Sequence, residues 1–417
     1  MKNNKFIHFG CWNKGFCQTK DNLSLNPISR VMHKLQNHQP VDFIAIAGDN
    51  FYPEKKQILN KGKIKIIHPT DMSSGFECLP HNVPIYMILG NHDLETNTYT
   101  QSIFIENEQT PEEIGSCFML KEEVKLSEKH DLPIEFVLNK SIVFERTLIL
   151  MLDTSMYDCE KDDETINGFL PCYQTLLHNP NLTKAELYQL QQDFVLNALI
   201  QNQNENQHIK NLVIIGHHPI TGYKFKKNKV NLIEPFPSFV QLLSFIHSNN
   251  SNKETVYYYL CADLHLYQIG NVVITNNNNN DNNVTDEMLI HQYIVGTGGA
   301  DLDEHPYFDN YDDKNYPTLQ NSENYSVQYT MNTDQVEHSL SAYGFLECIE
   351  SEKNGLLQFQ FYNVDNDSIV VEEQFTTLVG GGSKKKRKTK TKRRIRVRKT
   401  KTKRKTRKSK TKKTKFQ

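Results

Sequence analysis

Five short apolar runs end on side chains that hold metals or phosphates: GDNFY at 48–52, GNHD at 90–93, LDT at 152–154, GHHP at 216–219 and ADLH at 262–265. They bring together a carboxylate (Asp49), a phenol (Tyr52), an amide (Asn91), the imidazoles of His92, His217, His218 and His265, and a further carboxylate at Asp263. Carboxylate, carbonyl and imidazole are donors for first-row metals, and imidazole also moves protons near neutral pH. Singly, each residue has an ordinary structural use. Asp49-Asn50 can open a turn, Asn91 can cap one, Tyr52 can pack as an aromatic, and a histidine can be a hydrogen-bonded core residue. Recurring at the ends of successive strands, they point to one shared crevice, because ligand sites in α/β sheets gather at the carboxyl ends of strands.

The elements that must position these residues are legible as short apolar runs, each ending abruptly in glycine or polar residues. FIHFG (6–10), VDFIAIAG (41–48), PIYMILG (84–90), TLILMLD (147–153), NLVIIG (211–216), TVYYYLCA (255–262) and YIVGTGG (293–299) read as buried strands. LTKAELYQLQQDFVLNALIQ (182–201) places Leu187, Leu190, Phe194, Val195 and Ala198 at helical spacing. Strands alternating with helices predict an α/β sandwich. A last strand pair is expected at 341–350 and 356–364. The polar stretch 100–143 is expected to be an insertion, with 157–181 a second candidate, and TNNNNNDNN (275–283) a solvated loop.

The order GD, GNH, GH and a final xH resembles the calcineurin-like metallophosphoesterase superfamily. Tyr52, three residues after Asp49 in GDNFY, is similar to the form found in the purple acid phosphatase-like branch. The resemblance spans roughly Phe6 to Phe361. It implies a four-layer α/β/β/α sandwich and a dinuclear centre of iron with iron, zinc or manganese that hydrolyses phosphate esters. By the same resemblance Asp49 bridges the two metals, Tyr52 and His265 bind the first, and Asn91 and His217 bind the second. His92 matches the histidine that contacts phosphate and protonates the leaving group, and His218 stands where it can help bind substrate. Asp153 is expected beside the site rather than on a metal.

Two positions depart from the pattern. Cys11, before Trp12, stands where this branch has an aspartate ligand, and Asp263 replaces the first histidine of the GHxH motif, with Ala262 in place of its glycine. Both replacements keep metal-binding chemistry, as thiolate and carboxylate. A thiolate shifts preference from Fe(III) towards zinc or Fe(II). The competing expectation is a decayed site: a phosphoesterase fold without activity that serves as a structural or nucleic-acid-tethering protein. A phosphodiesterase or nuclease is a third.

Composition bounds the rest. The chain has 417 residues and a formal net charge of −1, but 22 of its 48 Lys and Arg fall in Lys384–Lys415, leaving 26 against 49 acidic residues elsewhere. The layout expected is a phosphoesterase domain over 1–375, a Gly-rich linker over 376–383 and a disordered basic tail over 384–417. An acidic body disfavours bare polyanions in the crevice and favours a small phosphomonoester or a phosphoprotein. The tail suits nucleic acid through counterion release, nuclear import, or association with the acidic body. The eight cysteines lack paired spacing, so reduced thiols are expected. The absence of an export-type apolar segment and of any 18-residue apolar run argues against a membrane span and for an intracellular protein, with a nuclear or virion-associated location compatible with the tail.

Overall fold

The computed structural model describes residues 4–371 except 16, 18–25, 39, 53–54, 60–61, 68, 95–101, 105–117, 130–131, 145, 161–162, 205–208, 227–228, 278–286, 304–324, 332–341 and 365–368. All described elements belong to one unit, Met1–Gln374. The expectations of a basic tail and its linker, and of most of the Asn-rich loop, lie outside the described residues.

In chain order the first half carries β1 (Lys5–Phe9), α1 (Pro27–Gln36), β2 (Phe43–Ala47), β3 (Lys55–Leu59), β4 (Gly62–Ile67), α2 (Pro69–Glu77), β5 (Ile85–Ile88) and α3 (Asn91–Leu94). It continues with β6 (Ser102–Phe104), α4 (Phe118–Lys129), β7 (Ile134–Phe136), β8 (Asn139–Val143) and β9 (Thr147–Leu152). A short 3-10 helix (Ser155–Glu160) leads to α5 (Asp163–Leu176), α6 (Lys184–Asn204), β10 (Asn211–Ile215), β11 (Tyr223–Lys226), β12 (Lys229–Leu232) and α7 (Pro237–Asn249). The remainder is β13 (Val256–Cys261), β14 (Tyr267–Asn276), β15 (Glu287–Val295), β16 (Tyr325–Met331), β17 (Gly344–Glu350), β18 (Leu357–Asn363) and β19 (Ile369–Val371).

Two seven-stranded sheets form the centre, ordered β19-β18-β17-β1-β2-β5-β7 and β16-β14-β15-β13-β10-β9-β8. In the first, β1, β2, β5 and β7 run parallel and β17 joins β1 antiparallel; in the second, β9, β10, β13 and β15 run parallel. The period-two alternation of β9 shows how the layers stack. Ile149 and Met151 point into a core shared with Phe6, Ile44, Ile46 and Ile85 of the first sheet and with Ile28, Val31, Met32 and Leu35 of α1. Leu148, Leu150 and Leu152 point the other way, into a core with Phe169 of α5, Leu187 and Val195 of α6 and Phe239 and Leu243 of α7. With both faces of both sheets covered, continuous apolar strands are required, and this is why they were legible as runs. The result is the expected α/β sandwich, with helices outside two central sheets.

Local signals start the helices. Asn26 accepts a hydrogen bond from the Ile28 N–H at 3.1 Å, with Pro27 in the first turn of α1. Thr183 and Glu186 form a reciprocal capping box before α6, at 2.8 and 3.2 Å. The expected helix over 182–201 is present, but Leu190 lies 48% exposed, and buried Gln191 takes a position on the packed face, donating to the Asp153 carbonyl at 3.1 Å.

Three other expectations change. The stretch 100–143 is not simply an excursion: β7 pairs with β5 and β8 with β9, so its last part supplies an edge to each main sheet. The stretch 157–181 is likewise built into the fold, with Phe169, Cys172 and Tyr173 of α5 buried in the second core. Finally, the thiols are not all reduced. Cys17 and Cys78 form a disulfide across 61 residues, and Cys172 is also disulfide-bonded. Pairing depends on Cα proximity in the fold, which regular sequence spacing does not reveal. Among the described residues no helix is long and apolar enough to cross a membrane.

Candidate metal centre

The parallel strands deliver the polar residues to one place. Cys11 follows β1, Asp49 follows β2, Asn91 and His92 open α3 after β5, His217 and His218 follow β10, and Asp263 and His265 follow β13. To turn its side chain inward directly after a strand, the backbone enters the left-handed region at Cys11 (φ 52°), Asp49 (φ 53°) and Asp263 (φ 55°). Such conformations cost of order 1 kcal/mol or more each in non-glycine residues and concentrate at functional sites. Gly48 (φ 76°) permits the turn before Asp49.

Asp49 is the hub and is 1% exposed. Its Oδ2 accepts from the Tyr52 hydroxyl and lies 3.9 Å from Cys11 Sγ. Its Oδ1 accepts from the His92 N–H at 2.9 Å and lies 3.4 Å from His217 Nε2. His217 Nε2 is also 3.1 Å from Asn91 Oδ1 and 4.0 Å from Asp263 Oδ1. The Tyr52 oxygen is 3.0 Å from His265 Nε2. His92 lies beside the Tyr52 ring, centroids 4.8 Å apart, and His218 is wedged between His217 and Phe236 at 4.8 and 5.2 Å. All nine residues singled out in the sequence therefore meet in one connected set.

Which ring nitrogens face the crevice follows from their partners. His217 Nδ1 is 2.6 Å from the Ala47 carbonyl, and His265 Nδ1 is 2.6 Å from the Asp301 carbonyl. A carbonyl only accepts, so each Nδ1 carries a proton and each Nε2 turns towards the site as a potential ligand, the arrangement typical of metal-binding histidines. Asp303 adds a hydrogen bond from the His265 N–H at 3.1 Å.

The site is rich in acidic donors, and burial and mutual repulsion keep those of Cys11 and Tyr52 protonated. Burial, then the Asp49 charge, pushes the Cys11 thiol and the Tyr52 phenol well above their ordinary ranges. Burial opposes the Asp49 charge, but His217, His92 and the Tyr52 hydroxyl outweigh it and hold Asp49 below the usual carboxylate range. Burial lowers His217, yet the Asp49 and Asp263 carboxylates more than offset this and raise it. Positive charge is called for between these groups, and bound metal would supply it. The donors fit. The Cys11, Asp49 and His265 ligand atoms lie within 4.8 Å of one another, as do those of His217, His218 and Asp263.

Sequence reasoning missed the residues that hold these donors. Asp93 Oδ2 accepts from Asn50 Nδ2 (2.9 Å) and the Gly90 N–H (2.8 Å), and Oδ1 from the Asn50 N–H (2.8 Å). Burial, then Asp49, raises its carboxyl to about 6. Glu123, from α4, is fully buried, and burial and then the Asp93 charge push its carboxyl well above the usual range. Thr154 Oγ1 accepts from the N–H groups of His217 (2.9 Å) and His218 (3.0 Å). Asp153, placed beside the site as expected, accepts from the Ser155 N–H at 2.9 Å and the Tyr173 hydroxyl at 2.8 Å.

Two mixed sheets packed face to face, with acidic, amide and imidazole donors converging at the ends of their parallel strands, are the build of a metal-dependent phosphoesterase. Residues 5–267 match the family described as calcineurin-like phosphoesterase, and the chain belongs to that family. Members bind a dinuclear metal centre and hydrolyse phosphoesters. No curated protein matches the chain.

Proposed function

We propose that this chain is a purple acid phosphatase-like hydrolase of phosphomonoesters, small or on phosphoproteins, working with iron paired with iron, zinc or manganese. Cys11, Tyr52 and His265 would hold one metal and Asn91, His217 and Asp263 the other, with Asp49 between them. The observation that carries this reading is Tyr52, whose hydroxyl meets both the Asp49 carboxylate and His265 Nε2. A phenol three residues after the central aspartate is the feature that distinguishes this branch in the sequence. When bound, the metals neutralise phosphoryl oxygens and make hydroxide available near neutral pH.

The protein's own groups do the rest. Asp49, fixed by the His92 N–H and the Tyr52 hydroxyl, keeps the two ligand sets in register. His92, beside Tyr52 at the rim, donates a proton to the departing ester oxygen, and His218 steadies the phosphoryl group. Over residues 384–417 we propose a basic segment that binds nucleic acid through phosphate contacts alone, joined by a linker at 376–383 to the domain spanning 1–375. A nuclear or virion-associated location fits that segment.

The test is metal analysis of the purified protein with turnover of p-nitrophenyl phosphate and bis-p-nitrophenyl phosphate. Two metals and faster monoester hydrolysis are expected. Diester preference would replace this reading with a phosphodiesterase, and neither metal nor turnover across iron, zinc and manganese would leave an inactive scaffold.

A further inference from the structure

The donors that meet around Asp49 fall into two sets of different chemical character. On the Oδ2 side stand the Cys11 sulfur at 3.9 Å and the Tyr52 hydroxyl, the latter 3.0 Å from His265 Nε2. With Asp49 this set offers one sulfur, one nitrogen and two oxygens. On the Oδ1 side stand His217 Nε2 at 3.4 Å, the Asn91 amide oxygen 3.1 Å from that nitrogen, and the Asp263 carboxylate 4.0 Å from it. His218 belongs to the same group as His217 and Asp263. This set has no sulfur and draws three oxygens from Asp49, Asn91 and Asp263.

Soft thiolate favours zinc among the divalent metals at hand, whereas carboxylate and amide oxygens suit harder ions such as manganese. The thiolate is also a poor neighbour for ferric iron, which can take an electron from it. We propose that the two positions are unlike and that, in place of the iron-containing pair named above, the Cys11 side selects Zn(II) and the Asp263 side is the one left to Mn(II) when zinc is limiting. On zinc binding the Cys11 S–H bond is exchanged for an S–Zn bond and the proton passes to water, with no change of oxidation state. Zinc outranks manganese at most sites by raw affinity, so selection is expressed as the order of filling and not as exclusion. The inference rests on the reading that the crevice holds two metals, and it assigns Cys11 and Asp263 as the residues that set which metal goes where.

The full-length protein, stripped with chelator, is titrated with Co(II) as a spectroscopic substitute for zinc, and its absorption is followed. A thiolate-to-cobalt charge-transfer band should grow over the first equivalent and then stop. Cys11→Asp and Cys11→Ser, both with oxygen in place of sulfur, should bind cobalt without the band, and two variants guard against one failing to fold. In parallel, protein given one equivalent each of Zn(II) and Mn(II) and then desalted should retain both. Asp263→His, which makes the second set richer in nitrogen, should retain less manganese. A wild-type protein that binds cobalt without the band, or whose band grows through both equivalents, overturns the inference while leaving a dinuclear hydrolase intact. The band with no p-nitrophenyl phosphate turnover under any metal overturns the phosphatase reading and supports the inference. Protein that binds no metal overturns both.

Discussion

Asn50 and Asp93 lie 43 residues apart in sequence and are joined by two hydrogen bonds, from the Asn50 N–H to Oδ1 at 2.8 Å and from Asn50 Nδ2 to Oδ2 at 2.9 Å. Since Asn50 follows Asp49 and Asp93 stands two residues after Asn91, the pair clamps together the strand-end turns that carry a central carboxylate and an amide donor. Asn50 also accepts from the Trp12 indole N–H at 3.1 Å, which extends the clamp to the Cys11 turn.

Asp93→Ala would strand the buried N–H groups of Asn50 and Gly90, at about 1–3 kcal/mol for each left unsatisfied, and leave Asn50 Nδ2 only its bond to the Ile88 carbonyl at 3.1 Å. Removing such an outer partner typically costs about 10- to 100-fold in metal affinity. The expected outcome is a lower Tm and a loss of bound metal on dialysis. Calorimetry and metal analysis check it, and full metal retention would show that the turns hold themselves.

Gly90 tests the same junction by crowding it. A Cβ there would lie 2.2 Å from both the backbone nitrogen and Oδ1 of Asp49, closer than any tolerated contact. Gly90→Ala should displace Asp49 and lower phosphomonoester turnover by about 100-fold or more, since misplacement of about 1 Å can cost that much. Steady-state kinetics against p-nitrophenyl phosphate measures this.

The strands and the donors were legible because both are local: doubly covered strands are continuous apolar runs, and each donor sits next to the glycine or turn that ends its strand. What holds the donors was not legible, because it comes from far along the chain. Asp301 fixes His265 from 36 residues away, and Thr154 fixes His217 from 63. Glu123 lies in a stretch whose polarity suggested an insertion, yet it is fully buried against Asp93, its own carboxyl pushed well above the usual range by burial and then by Asp93. The Cys17–Cys78 pair has no spacing signal either. Leu190 matched the helical period but faces solvent, because the packed face of α6 is centred nearer Gln191.

Asp153 should make stability depend on pH. Burial raises its carboxyl from 3.8 to about 7, against the opposing hydrogen bonds from Tyr173 and Ser155. Between those values the native state holds a proton that the unfolded chain has released, so the stabilisation is complete below about pH 4 and is lost as pH rises through 7, by about 4 kcal/mol at most. Asp153→Asn removes this dependence and still offers groups to Ser155 and Tyr173. The wild-type Tm should fall more between pH 5 and pH 8 than that of the variant, and parallel curves would exclude the effect.

The Cys17–Cys78 disulfide ties the chain just beyond the Cys11 turn to the end of α2, where the Cys17 N–H also donates to Ser74 Oγ at 2.9 Å. Chain entropy for a loop of 61 residues gives about 4 kcal/mol of stabilisation. The double substitution Cys17→Ser and Cys78→Ser, which leaves the Cys172 disulfide in place, should lower Tm by several degrees. Intact mass under non-reducing conditions reports whether the bond is present, and an unchanged Tm in the variant would show that it contributes little.

The basic segment should act apart from the crevice. It holds 22 Lys and Arg with no acidic residue between Lys384 and Lys415 and almost no aromatic or amide side chains for base readout, so binding should release counterions without sequence preference. Deleting residues 384–417 should abolish the salt-sensitive part of DNA binding while leaving hydrolysis of a small ester nearly unchanged. Fluorescence anisotropy on unrelated duplexes, from about 50 to 200 mM salt, should show affinity falling by orders of magnitude for the full chain. Equal binding by the truncated protein would move the interaction onto the acidic domain, where simple electrostatics cannot account for it.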